Sequence, residues 1–367
     1  VRLPGVDREQ AVNIYDIARE AGVSSATVSR VINDSPKVRP ETAQRVREVM
    51  ARMQFTPNVF AQSLQSNSMK VIAVVTVDIS DIYFAVAIQE IEQYARRHGY
   101  EVQVSFAGRR RSDQLGRIEA VVEKRVDGLI LAGSAFVNVD AAISTAMART
   151  PVVLLNGSAE GENVYSVVCD DGVGIELAVD HLAGSGRTDI VYVSKGRIAA
   201  ARAKVAGYRR AMRRHGLTPR VFETIDGAVP AALAVWAEQV DRTQADAAVV
   251  AGDDPLAALV IKELRRSGLR VPTDVAVTGY DNLDFATITT PSLTSVDGHA
   301  ARISRITAKV LIDALEGREP ARVTRIPPEL VVRESSWLPS VAVGMDASAP
   351  LSTVRFDYEE VSIDADS

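Results

Sequence analysis

A single cysteine, Cys169, rules out an intrachain disulfide, so the fold must rest on its core. That cysteine content suits a reducing cytoplasm. Four histidines are scattered along the chain, and none stands at metal-ligand spacing from another. No apolar run approaches the ~18 residues of a membrane span, and the first residues lack the charged-then-apolar pattern of a secretory signal. There is no G-x-x-x-x-G-K-[ST], no G-x-G-x-x-G after a strand and no G-x-S-x-G. Cys169 has no histidine near it in sequence and reads as a structural thiol. These absences predict a cytoplasmic protein that is not an enzyme, with no metal and no cofactor.

The 367 residues suffice for two or three domains, and 47% of them are apolar, which provides a sizeable core. The net charge of −5 argues against a nucleic-acid partner until its distribution is read. Residues 13–69 hold seven Lys/Arg against five Asp/Glu, whereas residues 337–367 hold one Arg against six acids. The acidity sits in a tail, and the head keeps a modest positive field.

Residues 13–30, NIYDIAREAGVSSATVSR, organise the rest. Ile14, Ile17, Ala18 and Ala21 fall on one helical face. Asn13 can cap that helix, with Asp16 at its third position. Gly22 suits the positive φ of a tight turn, and Ser24 can cap a second helix. Val28, Val31 and Ile32 face back toward the first. The outer face of the second helix is Ser25, Ala26, Ser29 and Arg30, groups that a major groove accepts at close range. An ordinary pair of surface helices is the alternative for these residues taken alone.

The pieces IYDIAREAGVSSATVSRVIN, VRPETAQRV and FTPNVFAQSL, in that order and spacing, resemble the DNA-binding headpiece of the lactose/galactose repressor (LacI/GalR) family of bacterial transcription regulators. The resemblance continues to about Ser336. It implies DNA contacts from Tyr15, Ser24, Ser25, Ala26, Thr27, Ser29, Arg30 and Asn33. Residues 40–53 read as a third helix, with Pro40 at its first position and Ala43, Val46, Met50 and Met53 on its buried face. Arg39 stands where the family usually has a capping Ser, which weakens that cap by about 1 kcal/mol. Residues 58–65 are too short to hold a helix alone in water. The family resemblance makes them a hinge helix that orders on DNA, with Asn58, Ala61, Gln62 and Leu64 at the interface. Leu64 would be the apolar wedge in the minor groove. Gln62 replaces the family's common Arg and removes a phosphate contact. A plain linker is the alternative, given the polar run Ser66-Asn67-Ser68.

From Val71 the pattern changes. Apolar runs at 71–77, 101–106, 128–132, 152–155, 189–194, 247–251 and 275–279 alternate with helical stretches, which predicts parallel sheets covered on both faces. Three helices end alike, in Arg96-Arg97-His98-Gly99, Arg213-Arg214-His215-Gly216 and Arg265-Arg266-Ser267-Gly268. Cations in the last turn and a glycine after it mark helix ends, so His98 and His215 read as cap residues. Trp236 reads as core.

A single doubly wound sheet would satisfy the pattern. The family resemblance instead implies an α/β fold with an N-terminal all-α helix-turn-helix headpiece and a two-lobe periplasmic-binding-protein-like core with parallel sheets. The expected order is a flexible arm (1–12), the headpiece (13–57), a hinge and linker (58–69), the core (70–340) and an acidic tail (341–367). The N-lobe would take about 70–166 and 297–326, and the C-lobe about 167–296 and 327–340. Ligands in such sheets bind beyond the carboxyl ends of the strands.

The candidate effector residues lie there. Asp81 and Phe84 belong to Asp78-Ile79-Ser80-Asp81-Ile82-Tyr83-Phe84, which is similar to the family's D-I-S-N-P-F-F. Arg202, five residues before Gly207-Tyr208, matches the family's effector-binding arginine. Asp253-Asp254 stands for the family's Asn-Asp, with Asp254 read as a helix cap. Asp281 matches a second cleft carboxylate. Gly298-His299 replaces a common Gln-Pro. Each of these is alternatively a cap or turn residue. The expected function is that of a repressor, binding a pseudo-palindromic double-stranded operator as a homodimer and answering to a neutral sugar-like effector, with no membrane partner. A solute-binding receptor of the same fold and an α/β enzyme with an accessory DNA-binding domain are the competing readings. The headpiece counts against the first, and the missing catalytic constellation against the second.

Overall fold

A computed structural model describes residues 12–32, 35–55, 68–108, 110–136, 150–194, 196, 199–224, 229 and 231–337. The chain divides into two compact units, Val1–Met69 and Lys70–Ser367.

The first unit holds α1 (Ile14–Ala21), α2 (Ser25–Ile32) and α3 (Pro40–Arg52). Local chemistry sets each boundary. Asn13 Oδ1 accepts from Tyr15 N at 2.9 Å and Asp16 N at 3.2 Å, and the Asp16 carboxylate accepts from Asn13 N at 3.1 Å, completing a capping box. Gly22 ends α1 at φ 63°. Ser24 Oγ accepts from Thr27 N at 3.1 Å and so caps α2. Arg39 precedes α3 without any side-chain cap bond, as expected. Ile17, Val28 and Val46 are fully buried, and Val31 and Val49 nearly so. On α3 the buried pair is Val46 and Val49, whereas Ala43, Met50 and Met53 are only partly buried around it.

The second unit is built on two six-stranded sheets. The first contains β1 (Val71–Thr76), β2 (Glu101–Phe106), β3 (Gly128–Ala132), β4 (Val152–Leu155), β5 (Val164–Cys169) and β11 (Val323–Ile326), in the order β11-β5-β4-β3-β1-β2, all parallel. The second contains β6 (Asp189–Ser194), β7 (Arg220–Glu223), β8 (Ala247–Ala251), β9 (Val275–Tyr280), β10 (Thr294–Asp297) and β12 (Glu329–Val331), in the order β12-β10-β9-β8-β6-β7. Only the edge pair β10–β12 is antiparallel among these. β5, β7, β10, β11 and β12 escape the apolar-run criterion. Four of them have three or four residues and carry Thr, Ser, Arg or Glu, too little for a pattern. β5 runs on to Cys169, so the first crossing between sheets follows residue 169.

The chain crosses between the sheets after β5, after β10 and between β11 and β12. Helices α4 (Ile82–Arg97), α5 (Arg111–Val122) and α11 (Ala300–Leu315) cover the first sheet. The second is covered by α6 (Asp171–Gly184), α7 (Ala199–Arg214), α8 (Ala231–Glu238) and α9 (Asp254–Arg266), with α10 (Phe285–Ile288) packed on α9. Apolar clusters fill both faces of both sheets, which is why the central strands read as continuous apolar runs.

Helices α4, α7 and α9 stop by one device. Gly99, Gly216 and Gly268 take φ of 74°, 70° and 74°. The next N–H then returns to the helix, from Tyr100 to Ala95, Leu217 to Met212 and Leu269 to Leu264, at 2.8–3.0 Å. At Gly207 the reason for glycine is different. A Cβ there would lie 2.1 Å from the Gly172 carbonyl oxygen, because the backbones of α6 and α7 touch.

Candidate functional site

On the first unit the capping of α1 and α2 leaves an outer face of defined chemistry. Tyr15 is 71% exposed. Ser24, Ala26 and Arg30 are exposed, and Ser25, Thr27 and Ser29 are half-buried. The Ser24 and Thr27 hydroxyls lie 2.9 Å apart and are engaged in the α2 cap, so they help shape the face as well as line it. A small-residue helix face with one guanidinium and one phenol can enter a groove and read base edges. Asn33, Asn58, Ala61, Gln62 and Leu64 lie outside the described residues.

On the second unit the carboxyl ends of both sheets bring acidic groups together. Asp81 caps α4, accepting from Tyr83 N at 3.1 Å. Asp253 caps α9, accepting from Leu256 N at 2.8 Å. Asp254 is therefore not the cap. It lies in the first turn, fully buried, and accepts from Ser295 Oγ at 2.6 Å and Leu283 N at 3.2 Å, tying α9 to the ends of β9 and β10. Gly279 allows this, since a Cβ there would lie 2.2 Å from the Asp254 carboxylate. Burial pushes the Asp254 carboxyl up to about 7. Asp281 follows β9 at φ 97°. Burial first, then the charges of Asp253, Asp254 and Asp81, lift its carboxyl to about 7 against the pull of Lys204.

Arg333 lowers the Asp254 carboxyl, and the cation that lowers Asp281 is Lys204. Its Nζ donates to the Gly252 carbonyl at 3.0 Å, lies 3.7 Å from Asp171 Oδ1 and sits 3.4 Å from the centroid of the Tyr280 ring. Burial raises the Asp171 carboxyl while Lys204 lowers it. The Tyr280 hydroxyl is buried beside Asp171 and Cys169 and forms no well-directed hydrogen bond. Arg202 is exposed on α7. Two residues on a helix are about 200° apart, so Arg202 points away from the face that carries Lys204. The signal for Lys204 is spacing. It stands three and four residues before Gly207 and Tyr208, which puts it on their buried face.

Tyr83 ties α4 to the ends of β4 and β5 in the first sheet. Its hydroxyl accepts from Asn156 Nδ2 at 2.7 Å, and Asn156 Oδ1 accepts from Cys169 N at 3.1 Å. Burial first, then Asp281, Cys169 and Asp171, hold the Tyr83 phenol well above its ordinary range. Neither Tyr83 nor Asn156 carries a sequence signal beyond its place after a strand. Phe84 is only 8% exposed, packs edge-on to Tyr83 and covers Gly133. It supports the site from within the core.

Residues 13–58 match the bacterial regulatory proteins of the lacI family, and residues 179–336 match a periplasmic binding protein-like domain. An HTH-type transcriptional regulator of Lachnoclostridium phytofermentans is 34% identical over 333 residues, 89% of this chain and 99% of the relative. The chain belongs to the lacI family of bacterial regulatory proteins. Catabolite control protein A of Priestia megaterium, a second relative, is 31% identical over 89% of this chain and 99% of its own. A lac repressor dimer solved with operator and the anti-inducer ONPF has a TM-score of 0.79 at 25% identity, covering 90% of this chain and 100% of the repressor's. As a member of the lacI family the chain is a helix-turn-helix transcription regulator. Among its described residues no helix is long and apolar enough to cross a membrane.

The lone thiol and the histidines fit structural roles in this regulator. Burial, followed by the charge of Asp171, pushes the Cys169 thiol up to about 12. His98 Nδ1 lies 2.9 Å from the Tyr94 carbonyl oxygen, and His215 Nε2 lies 2.7 Å from Asp180. Trp236 is buried and donates to Asp189 at 3.0 Å. Among the described residues no cluster could hold a metal ion.

Proposed function

We propose that this regulator is a cytoplasmic repressor that binds a pseudo-palindromic operator as a homodimer and answers to a small neutral polyhydroxylated effector. Residues 13–57 are the headpiece, 58–69 the hinge and linker, and 70–340 a two-lobe effector core with a tail at 341–367. Tyr15, Ser25, Ala26, Ser29 and Arg30 face the major groove, and Leu64 enters the minor groove. The effector lies among Asp81, Asp253 and Asp281, with Arg202 at the margin. Its closure of the lobes alters the pairing of two hinges, and hence operator affinity.

One observation carries the choice of effector. Asp81 follows a strand of one sheet, Asp253 and Asp281 follow strands of the other, and Lys204, the cation that lowers the Asp281 carboxyl, is already bound to Gly252 and Asp171. A phosphorylated sugar would bring an anion to carboxylates beside Lys204, a buried cation that is already taken. Hydroxyls suit carboxylates as donors. Calorimetry on the full chain with a free hexose and its phosphate tests this. The free sugar should bind and the phosphate should not, and tighter binding of the phosphate overturns it. Arg30→Ala and Leu64→Ala should each abolish tight operator binding at fixed salt and leave effector binding intact.

A further inference from the structure

The second and third crossings between the sheets meet at one histidine. The second leaves the end of β10 at Asp297, and His299 opens α11, which covers the first sheet. The third returns from β11 to Glu329, the first residue of β12. Asp297 and Glu329 are direct partners in the antiparallel β10–β12 pair, so their side chains share a face. Like charges placed directly opposite weaken a sheet. His299 stands beside both. Its Nδ1 is 3.6 Å from Asp297 Oδ2 and its Nε2 is 4.0 Å from Glu329 Oε1, and the side chains of His299, Asp297 and Glu329 are only 18%, 24% and 26% exposed.

The backbone is shaped for this contact. His299 takes φ 55°, a left-handed conformation closed to the proline common here in the family. Its N–H, which proline lacks, donates to Asp297 Oδ1 at 2.6 Å. Asn282 Nδ2 donates to Asp297 Oδ2 at 3.0 Å, and Arg333 donates to Asn282 Oδ1 at 2.7 Å, which fixes the carboxylate. The first crossing closes the group, since a Cβ on Gly298 would lie 3.8 Å from Cys169 Sγ and 3.9 Å from the Tyr280 ring. The titratable groups from the elements that meet here are therefore Asp297, Glu329, Cys169, Tyr280 and, at the start of α6, Asp170 and Asp171. Among the cations, Arg333 is bound to Asn282, Lys204 to Gly252 and Asp171, and Arg302 is exposed one turn along α11.

An imidazole ordinarily becomes cationic as pH falls from 8 to 5, a range in which carboxylates ordinarily stay ionised. We propose that protonated His299 clasps the second and third crossings by pairing with Asp297 and Glu329 together, and that loss of its proton leaves the two carboxylates opposed and frees the crossings. Hinge rotation is absorbed at the ends of elements, so the device makes the arrangement of the lobes answer to pH. The clasp goes beyond the effector reading, and its test uses no ligand.

That test is hydrogen exchange on the full chain at pH 5.5 and pH 8, with each native rate compared to a variant's at the same pH. The comparison cancels the intrinsic pH dependence of exchange and the titrations of Asp254 and Asp281, which both chains share. The reporters are the Ile303 N–H, which donates to the His299 carbonyl at 2.8 Å, and the N–H groups of β10 and β12. The variant His299→Asn tolerates the left-handed backbone and does not titrate. The native-to-variant protection ratio should be about two- to fivefold higher at pH 5.5 than at pH 8. Glu329→Gln, which removes the opposed charge, should give the same trend. His299→Lys, a permanent cation, should keep at pH 8 the protection that the native chain has at pH 5.5. Ratios equal at the two pH values for both His299→Asn and Glu329→Gln overturn the clasp. So does a His299→Lys chain that is as poorly protected at pH 8 as His299→Asn.

Discussion

The recognition face of the headpiece and the sheet ends of the larger unit handle charge in opposite ways. On the headpiece, Arg30, Lys37 and Arg39 are held outward with no ion pair among the described residues, on helices whose backbone is satisfied by caps and turns. At the sheet ends, Lys204, Asp171 and Asp254 are buried or nearly so and bound to one another or to the backbone. Exposed unpaired cations suit a partner that is long, anionic and met at the surface. An interlocked acidic set suits a small partner whose hydroxyls can be matched one by one. The contrast follows from desolvation. Solvated charges cost little to leave unpaired, and buried charges cost several kcal/mol unless paired.

Breaking the buried pair should have the largest effect. Lys204→Ala leaves Asp171 without its cation and should cost about 3–5 kcal/mol. Hydrogen exchange on the full chain should show lost protection in α6, α7, β8 and β9, with the headpiece amides unchanged. Equal protection throughout would mean that Lys204 does not hold Asp171 and Gly252 together. Next comes the headpiece core. Ile17→Ala should cost about 2–4 kcal/mol, close to the whole stability of so small a unit. Duplex binding should vanish, and effector binding should survive. Retained duplex binding would show that the recognition face does not depend on the Ile17, Val28 and Val46 core.

How far these two regions can be read from sequence differs for a physical reason. The headpiece is specified by short-range chemistry, and Asn13, Asp16, Gly22 and Ser24 sit where the backbone needs them. The same holds for the glycines that end α4, α7 and α9. The sheet ends are assembled from residues far apart in the chain, such as Asp81 and Asp281. Strand-end position marks Asp81, Asp253 and Asp281 as candidates. It does not reveal that Asp253 rather than Asp254 caps α9, or that Phe84 is turned into the core. Nor does it show whether a lysine is buried, so the family match points to Arg202 where helical spacing points to Lys204. Short polar strands such as β7, β11 and β12 depend on pairing with a formed sheet and carry little pattern of their own.

A titration sharpens the acidic side of the contrast. The Asp281 carboxyl holds its proton to about 7 in the fold, against an ordinary value of 3.8. As pH rises between these values the unfolded chain ionises first, so the group turns steadily against folding and then levels off above pH 7. Asp281→Asn removes that effect. Its stability advantage over the native chain should grow from pH 4 to pH 7 and then stay constant, reaching on the order of 2 kcal/mol once partial exposure is discounted. An advantage that does not change with pH would place Asp281 in ordinary solvent. The smallest expected effect belongs to Arg202→Ala. It should change stability by no more than about 0.5 kcal/mol while weakening the response to effector. A large loss of stability would mean that the guanidinium is held in the fold as firmly as the Lys204 ammonium.

The central claim is that a ligand at the sheet ends controls DNA binding by the headpiece. Its most direct measurement is a linkage cycle on the full chain. A sugar found by thermal shift is titrated with and without an operator duplex selected on the protein, and the duplex is titrated with and without that sugar. The account predicts that each ligand changes the other's affinity by the same factor, between about 5-fold and 150-fold, and that the factor is lost in Asp281→Asn. A sugar that binds tightly yet leaves operator affinity unchanged would contradict it.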